Sequence, residues 1–268
     1  MLEQNPHQVI EGILLAAYAV GATEAYLFTR STAAAANAAI QQAVQEAVEA
    51  NLVGRDILST DFSCNITVLG AEMGFMGGEE TVQMALIKGR RGMPEQRPPF
   101  PAQYGLWDKP TAINSIETLV NVPYIVREGA AAFASVGSAT TGGTKVLTIY
   151  ASPSSEPKLV EVPFGATLRE ILAHAGLTPT ESDASAIVVG GAEGGALPLA
   201  SLDTAYDFDP LEEAGVIVGS GIIELLPSDT CMVSWAMDRS AYLTKESCGK
   251  CVPCRLGSSV LRVSSKGL

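Results

Sequence analysis

The sequence predicts a mixed α/β protein built from two or three small domains. Strand-like and helix-like segments alternate over residues 5–88, which is typical of a layer with parallel strands. From Thr144 the apolar period becomes strand-like, which predicts a second sheet. After Pro227 the chain looks helical, and three closely spaced cysteines follow. These three observations divide the chain into three segments.

The composition indicates a folded protein and excludes several partners. Of the 268 residues, 47% are hydrophobic and 17% are charged, so a substantial core can form. The formal net charge of −12 repels phosphate backbones and anionic lipid, so we expect no nucleic-acid partner. We also expect no direct membrane insertion. The most apolar stretch, 13–28, is interrupted by polar residues and is shorter than the roughly 20 apolar residues that a spanning helix needs. No export signal opens the sequence, which favours a cytoplasmic location.

The first segment predicts alternating helices and strands. Asn5 followed by Pro6 marks the start of a helix that ends at Gly21. The next elements are a strand at 24–29, an alanine-rich helix from Ser31 to near Gly54 with Ile40, Val44 and Val48 on its apolar stripe, a strand at 65–69 and a helix from Glu79.

Residues 89–123 predict a long ordered loop without any long regular element, because six prolines interrupt them. The loop carries Phe100, Tyr104 and Trp107. Exposed aromatic rings held by prolines can stack on a purine, but buried structural aromatics are an equally good interpretation.

The second sheet is predicted to be a small α+β domain of β-grasp type. Two strands lie within 145–152 and 158–165, a helix follows at 167–175, and further strands lie at 186–191 and 216–227.

The cysteine cluster is the sharpest chemical signal. In ESCGKCVPCRLG, the thiols of Cys248, Cys251 and Cys254 recur at every third position and can converge on one cluster. This spacing favours an iron–sulfur cluster. Zinc or free thiols remain the alternatives, although structural zinc prefers two separated cysteine pairs or added histidines, and the chain has only two histidines. The single Cys64 and Cys231 are taken as core or surface residues.

A glycine-rich turn, GAEMGFMGGEETVQMAL, joins a strand to a helix at residues 70–86. Backbone N–H groups at such a turn can hold a phosphate or face a planar cofactor. Glu79 and Glu80 can instead complement the helix dipole. Two carboxylates are poor neighbours for phosphate, so they would better accept hydrogen bonds from ribose hydroxyls or a flavin edge.

Taken in order, these motifs resemble one family, the NADH-binding flavoprotein subunit of respiratory NADH:quinone oxidoreductase, with relatives in NAD-linked hydrogenases and formate dehydrogenases. The resemblance covers nearly the whole chain and includes NPHQVIEGILLAAYAVGA, GGEET, RRGMPEQRPPFPAQYGLWDKPTAINSIETLVNVP and ESCGKCVPCRLG. It implies an incomplete FMN-binding α/β domain over 1–127, a ubiquitin-like β-grasp domain over 128–227 and a partial helical domain with a [4Fe–4S] cluster over 228–268.

The resemblance also implies roles for individual residues. NADH would pass a hydride to FMN, and electrons would then pass singly to the cluster. At the flavin, the resemblance implies Phe75 beside the ring, Gly78 and Glu79 at flavin and nucleotide, and Asn114, Ser115 and Thr118 at the phosphate. At the nucleotide, it implies Glu80 at the adenosine ribose, where the carboxylate would disfavour a 2′-phosphate, and Phe100 on the adenine. The implied cluster ligands are Cys248, Cys251 and Cys254.

The sequence departs from the family pattern at several places. The family's glycine-rich flavin-wrapping segment would precede residue 1, and the fourth cluster cysteine would follow Leu268. Gly77 replaces a cysteine, Met73 replaces a glycine and Ser115 replaces an asparagine. We therefore expect this chain alone to bind FMN weakly or not at all, and to hold an incomplete or labile cluster.

The resulting prediction is an electron-entry subunit of an NADH-oxidising complex, completed by partners or missing segments. The resemblance implies a thioredoxin-like [2Fe–2S] subunit and a larger iron–sulfur subunit as partners, which would place the chain peripherally on the inner face of a membrane. Two alternatives stay open: a non-catalytic assembly paralogue or fragment without cofactors, and a zinc-binding adaptor with a β-grasp module.

Overall fold

The computed structural model describes residues 1–180 and 182–264, which form two compact units. Unit 1 comprises Met1–Arg127 and Glu246–Leu256, and unit 2 comprises Glu128–Lys245 and 257–264. The cysteine loop therefore folds with the N-terminal part of the chain, far from it in sequence.

Unit 1 is an α/β layer around two parallel strands. Strands β1 and β2 pair in parallel, with Glu24 opposite Asn65 and Arg30 opposite Ala71. This confirms the predicted mixed α/β character. The elements are α1 (Pro6–Val20), β1 (Glu24–Arg30), α2 (Ala34–Glu49), β2 (Asn65–Ala71), α3 (Glu80–Ile87) and α4 (Ile116–Glu128).

Helix α1 has the predicted boundaries, and its apolar side lies in the core of unit 1. Pro6 occupies the first turn, and Gly21 ends the helix in the left-handed conformation at φ 70°. The buried side chains that pack together are Val9, Ile10, Ile13, Leu27, Ile40, Ala43, Ala47, Val53 and Ile66.

The predicted stripe of α2 was partly wrong. Val48 is 51% exposed, and the buried positions are instead Ala36, Ile40, Ala43 and Ala47. These positions follow the helical period, and alanine lets the helix approach its neighbours closely. The helix also ends at Glu49 rather than near Gly54, because Asn51 adopts a left-handed conformation at φ 56°.

The prediction that 89–123 contains no long regular element was also wrong, because α4 begins at Ile116 and continues through Pro123. The missing N–H of Pro123 deprives the Leu119 carbonyl of its helical donor. That carbonyl packs against Gly12 of α1, where an added Cβ would lie 2.1 Å from its oxygen. Packing of α4 against α1 thus offsets the local cost of the proline.

Unit 2 contains a five-stranded sheet of order β4-β3-β7-β5-β6. The central pair β3 and β7 is parallel, and the other pairs are antiparallel. The elements are α5 (Ala130–Ala134), β3 (Thr144–Tyr150), β4 (Lys158–Pro163), α6 (Leu168–His174), β5 (Ala184–Val189), β6 (Gly195–Pro198), α7 (Phe208–Glu213), β7 (Ile222–Pro227), α8 (Met232–Glu246) and α9 (Ser258–Ser264).

Helix α6 lies between the two hairpins and contributes to the core of unit 2. Thr167 and Glu170 form a reciprocal capping box at its start, and Leu168, Ile171 and Leu172 are fully buried. The predicted strand 216–227 begins only at Ile222, because Gly219 and Gly221 have positive φ.

Helix α8 follows Pro227 as the sequence predicted. Its Trp235 packs against Ala186, Val188 and Leu226 of the sheet. Within the described ranges, no helix is both long and apolar enough to cross a membrane.

Candidate functional site

A crevice lies beyond the carboxyl ends of the parallel strands in unit 1, where α/β proteins commonly bind ligands. The backbone N–H of Ser31, after β1, donates to the carbonyl of Ala71 at the end of β2 at 3.0 Å. No site role was predicted for residues 30–32, although their position at a strand end was a usable signal. The cavity measures about 330 Å³ and is lined by Arg30, Ser31, Thr32, Ala71, Glu72, Met73 and Gly74.

The glycine-rich turn continues from this cavity as one 3-10 turn, Phe75–Gly78, before α3. Gly77 is buried, and the Met73 side chain fills the space where a Cβ at Gly77 would stand, 2.5 Å from Met73 Sδ. Gly78 is exposed, and an added Cβ there would meet nothing within 4 Å. The turn therefore has one packed side and one open side.

Glu79 and Glu80 lie together at the start of α3. The Glu79 carboxylate caps the helix by accepting the Val82 N–H at 2.9 Å. Arg97 Nη2 donates to Glu79 Oε1 at 2.6 Å and lies 2.7 Å from Glu80 Oε1. Glu79 thus has the capping role that the alternative interpretation proposed, and both carboxylates share one cation from the proline-rich loop.

The aromatic residues of that loop are exposed. Phe100, Tyr104 and Trp107 have exposed fractions of 52%, 55% and 51%, so the interpretation as buried structural aromatics was wrong. The hydrogen bond with Asp108 and its negative charge raise the pKa of Tyr104. Trp107 has φ 54°, a conformation that is costly for a bulky residue. The open ring faces can stack on a planar ligand.

Asn114, Ser115 and Thr118 mark the start of α4, and all three are exposed. Ser115 Oγ accepts the backbone N–H of Thr118 at 3.0 Å and lies 2.9 Å from Thr118 Oγ1. Ser115 therefore caps a 13-residue helix, whose positive end suits an anion.

The cysteine loop presents three cysteines that form no disulfide, with Cys248 half-buried and Cys251 and Cys254 exposed. Ser247 Oγ lies 3.3 Å from Cys254 Sγ. In residues 1–180 and 182–264, no group of three or more His, Cys, Asp or Glu side chains is placed to hold one metal ion. The structure thus places the predicted ligands on one loop without bringing them together around a single ion.

The two single cysteines have structural positions. Cys64 is buried in unit 1, and burial, followed by the charge of Glu24, raises the pKa of its thiol. Cys231 is exposed just before α8, where hydrogen bonds chiefly from Ser234 lower its thiol pKa. The prediction of core or surface residues holds for both.

Two family models match the chain at these motifs. Residues 1–124 match the Nuo51 FMN-binding domain, which includes the glycine-rich turn and the start of α4. Residues 235–265 match the NADH-ubiquinone oxidoreductase-F iron-sulfur binding region, which includes the cysteine loop.

Individual relatives match nearly the whole chain. NADP-reducing hydrogenase subunit HndC of Solidesulfovibrio fructosivorans is 38% identical over 262 residues, which cover 97% of this chain and 53% of that subunit. The second F-type subunit of NADH-quinone oxidoreductase from Rhizobium meliloti (strain 1021) is 37% identical over 258 residues, which cover 96% and 61% of the two chains. A chain in the crystal structure of the air-oxidized NAD+-reducing [NiFe]-hydrogenase matches with a TM-score of 0.83 and 27% sequence identity. The match covers 99% of this chain and 43% of the hydrogenase chain.

This chain spans 53% to 61% of the length of those two curated relatives. The shared length is nevertheless continuous through the glycine-rich turn, the proline-rich loop and the cysteine loop. Over nearly its whole length the chain is therefore similar to NADH-binding flavoprotein subunits, among them the F-type subunits of NADH-quinone oxidoreductase.

Proposed function

We propose that this chain is the electron-entry part of an NADH-oxidising complex. The observation that carries the proposal is the assembly of the glycine-rich turn and the cysteine loop in one compact unit, although Phe75 and Glu246 are 171 positions apart. Bound FMN would accept a hydride from NADH and release electrons one at a time to a [4Fe–4S] cluster. The residues of unit 1 would bind, orient and separate these groups.

The glycine-rich turn fits a flavin beside it. The open space over Gly78 admits a planar group that a larger side chain would obstruct. Half-buried Phe75 would lie beside the flavin ring, and the start of α4, with Asn114, Ser115 and Thr118, would bind the flavin phosphate.

The two glutamates fit a nucleotide with free ribose hydroxyls. Glu80 would accept hydrogen bonds from the adenosine ribose, and Phe100 would stack on the adenine. Arg97 pairs with both carboxylates and orients them, and Glu80 would oppose a 2′-phosphate. We therefore propose NADH as the nucleotide rather than NADPH.

The donor chemistry of the cysteine loop fits a cluster. Cys248, Cys251 and Cys254 supply three thiol ligands, and a cubane cluster normally takes four. A partner or a further segment would supply the fourth ligand, so we expect the cluster on this chain alone to be incomplete or labile. The same reasoning predicts weak FMN binding by the isolated chain.

We also propose the domain layout that the family resemblance implies. Residues 1–127 would form the flavin-binding domain, 128–227 a β-grasp domain and 228–268 part of a helical iron–sulfur domain. The parallel central pair flanked by two hairpins supports the β-grasp assignment.

The complex would supply partners of two kinds. We propose a thioredoxin-like [2Fe–2S] subunit and a larger iron–sulfur subunit, with this chain held peripherally on the inner face of a membrane through them. That relatives of this chain are named as subunits of NADH-quinone oxidoreductase and of a hydrogenase supports a multisubunit assembly.

Flavin and iron content test the proposed function. We would measure both by absorbance and metal analysis on anaerobically purified chain, with and without the two co-expressed partner subunits. Flavin and iron that appear together, above all with partners, would support electron entry. Neither group under any condition would favour the assembly paralogue or the fragment, and stoichiometric zinc would favour the adaptor.

A further inference from the structure

Glu246 is both the last residue of α8 and the first residue of the cysteine loop. A carboxylate at this place is locally unfavourable, because it faces the negative end of the helix dipole. Glu246 is nevertheless half-buried, and its Oε2 accepts the backbone N–H of Phe75 at 2.7 Å. Glu246 thus destabilises the end of its own helix but accepts a hydrogen bond from a turn that is distant in sequence, which indicates that its role lies in that contact.

The glycine-rich turn is shaped to admit this carboxylate. A Cβ at Gly74 would lie 2.2 Å from Glu246 Oε2 and 3.4 Å from its Cδ. Only glycine leaves room for the carboxylate at this distance. The turn and Glu246 are therefore matched in shape as well as in hydrogen bonding.

Two further contacts hold the cysteine loop to the segment after α3. Arg91 Nη2 donates to the carbonyl of Cys248 at 3.1 Å, and Lys250 Nζ donates to the carbonyl of Pro94. The Arg91 bond reaches the backbone of the loop itself, whereas Glu246 and Lys250 bind backbone groups of residues 75 and 94 through their side chains.

We propose that Glu246 is a positioning residue that sets the separation between Phe75, on the flavin side, and the cluster ligand Cys248. The proposal rests on the proposed function. Cys248 follows Glu246 by two residues, so the two sides are connected by one hydrogen bond, the Glu246 side chain and at most about 7 Å of backbone. Electron transfer weakens steeply with distance, so loss of this bond slows cluster reduction. Hydride transfer from NADH to the flavin would precede cluster reduction, so the two rates can be compared separately.

The contact is tested first on the full chain without cofactors, by hydrogen exchange of the Phe75 amide. Glu246→Ala removes the acceptor and raises the exchange rate about tenfold or more. Glu246→Gln retains a carbonyl oxygen and keeps most of the protection. Gly74→Ala displaces the carboxylate without changing it and gives the same loss as Glu246→Ala. Glu213→Ala is the matched control, because Glu213 is an exposed carboxylate at the end of α7.

The second measurement uses the chain loaded with FMN and iron–sulfur cluster together with its partners. Stopped-flow absorbance after mixing with NADH follows flavin and cluster reduction separately. In Glu246→Ala, flavin reduction keeps the rate of the Glu213→Ala control, while cluster reduction slows. Glu246→Gln restores the cluster rate.

The outcomes separate this proposal from the proposed function. A Phe75 amide that exchanges equally in wild type and Glu246→Ala overturns the contact. Lost protection with an unchanged cluster rate overturns the positioning role, although the contact stands. Wild-type protein that takes up neither flavin nor iron overturns the proposed function, and with it the role in electron transfer, but leaves the exchange result interpretable.

Discussion

Met73 and Gly77 both depart from the family pattern, and the two residues are in contact in the structure. The family resemblance places a glycine at 73 and a cysteine at 77, and here the volumes are exchanged. Met73 Cβ, Cγ and Sδ all lie within 2.8 Å of the place where a Cβ at Gly77 would stand. The large residue on one side of the turn thus requires the small residue on the other.

This coupling predicts non-additive stability. Gly77→Ala overpacks the turn and lowers the free energy of unfolding by about 1–3 kcal/mol. In the Met73→Ala background the same change costs less, with a coupling energy on the order of 1 kcal/mol. Urea unfolding followed by Trp107 fluorescence, with Trp235 replaced by Phe, reports on unit 1.

Gly78→Ala is the control for this cycle, because its new Cβ enters open space. It leaves the unfolding midpoint near that of the parent. Equal costs of Gly77→Ala with and without Met73 would show that the two positions do not share this volume.

Helix α7 starts at a buried carboxylate that also holds a loop of unit 2. Asp207 is 4% exposed and accepts the Phe208 N–H at 2.8 Å and the Thr141 hydroxyl at 2.6 Å. The hydroxyls of Ser138 and Thr140 also donate to it. Burial raises the pKa of this carboxyl, but the hydrogen bonds from these donors together outweigh burial and lower it.

The lowered pKa predicts how the stability of unit 2 depends on pH. The ionised Asp207 stabilises the fold above the unfolded carboxyl pKa of about 3.9, and this contribution is lost as the pH falls through the lower folded pKa. Asp207→Asn leaves donors unpaired and costs about 1–3 kcal/mol at neutral pH. The stability of the Asp207→Asn variant therefore falls less steeply than that of the wild type below about pH 4.

Urea unfolding at several pH values, followed through Trp235 fluorescence, measures this difference. Asp229→Asn is the control, because Asp229 is an exposed carboxylate of the same unit. The control keeps the neutral-pH stability of the parent. Parallel pH profiles for wild type and Asp207→Asn would contradict the assigned role.

The two compact units each have their own apolar core. Val9, Ile40 and Ile66 belong to the core of unit 1, while Leu147 and Ile187 belong to that of unit 2. Under the proposed function, the cofactors would bind unit 1. Ligands stabilise the part of a protein that they bind in its folded state.

We therefore predict two unfolding transitions, of which FMN shifts only one. FMN at a hundredfold excess over its dissociation constant adds about 2.7 kcal/mol to the stability of unit 1. Differential scanning calorimetry, with Trp107 and Trp235 fluorescence to assign the transitions, measures the shift. Riboflavin, which lacks the phosphate, is the control and stabilises less. A shift of the Trp235 transition alone would contradict the assignment of the flavin to unit 1.

Local patterns were enough to predict much of the fold and the chemistry. Pro6 and Gly21 delimit α1, and Thr167 begins α6, because capping and backbone conformation depend on adjacent residues. The family resemblance could also be found from the sequence, because each motif that carries it is a short continuous segment.

What local patterns could not supply are contacts between distant segments. The sequence contains no signal that Gly12 receives the Leu119 carbonyl and so permits a helix through Pro123, or that Arg97 joins Glu79 to Glu80. The return of Glu246 to Phe75 likewise depends on the path of the whole chain. Residue types and spacing thus settle which chemistry is available, whereas packing between segments remote in sequence settles which groups meet, because that packing depends on the combined shape of both.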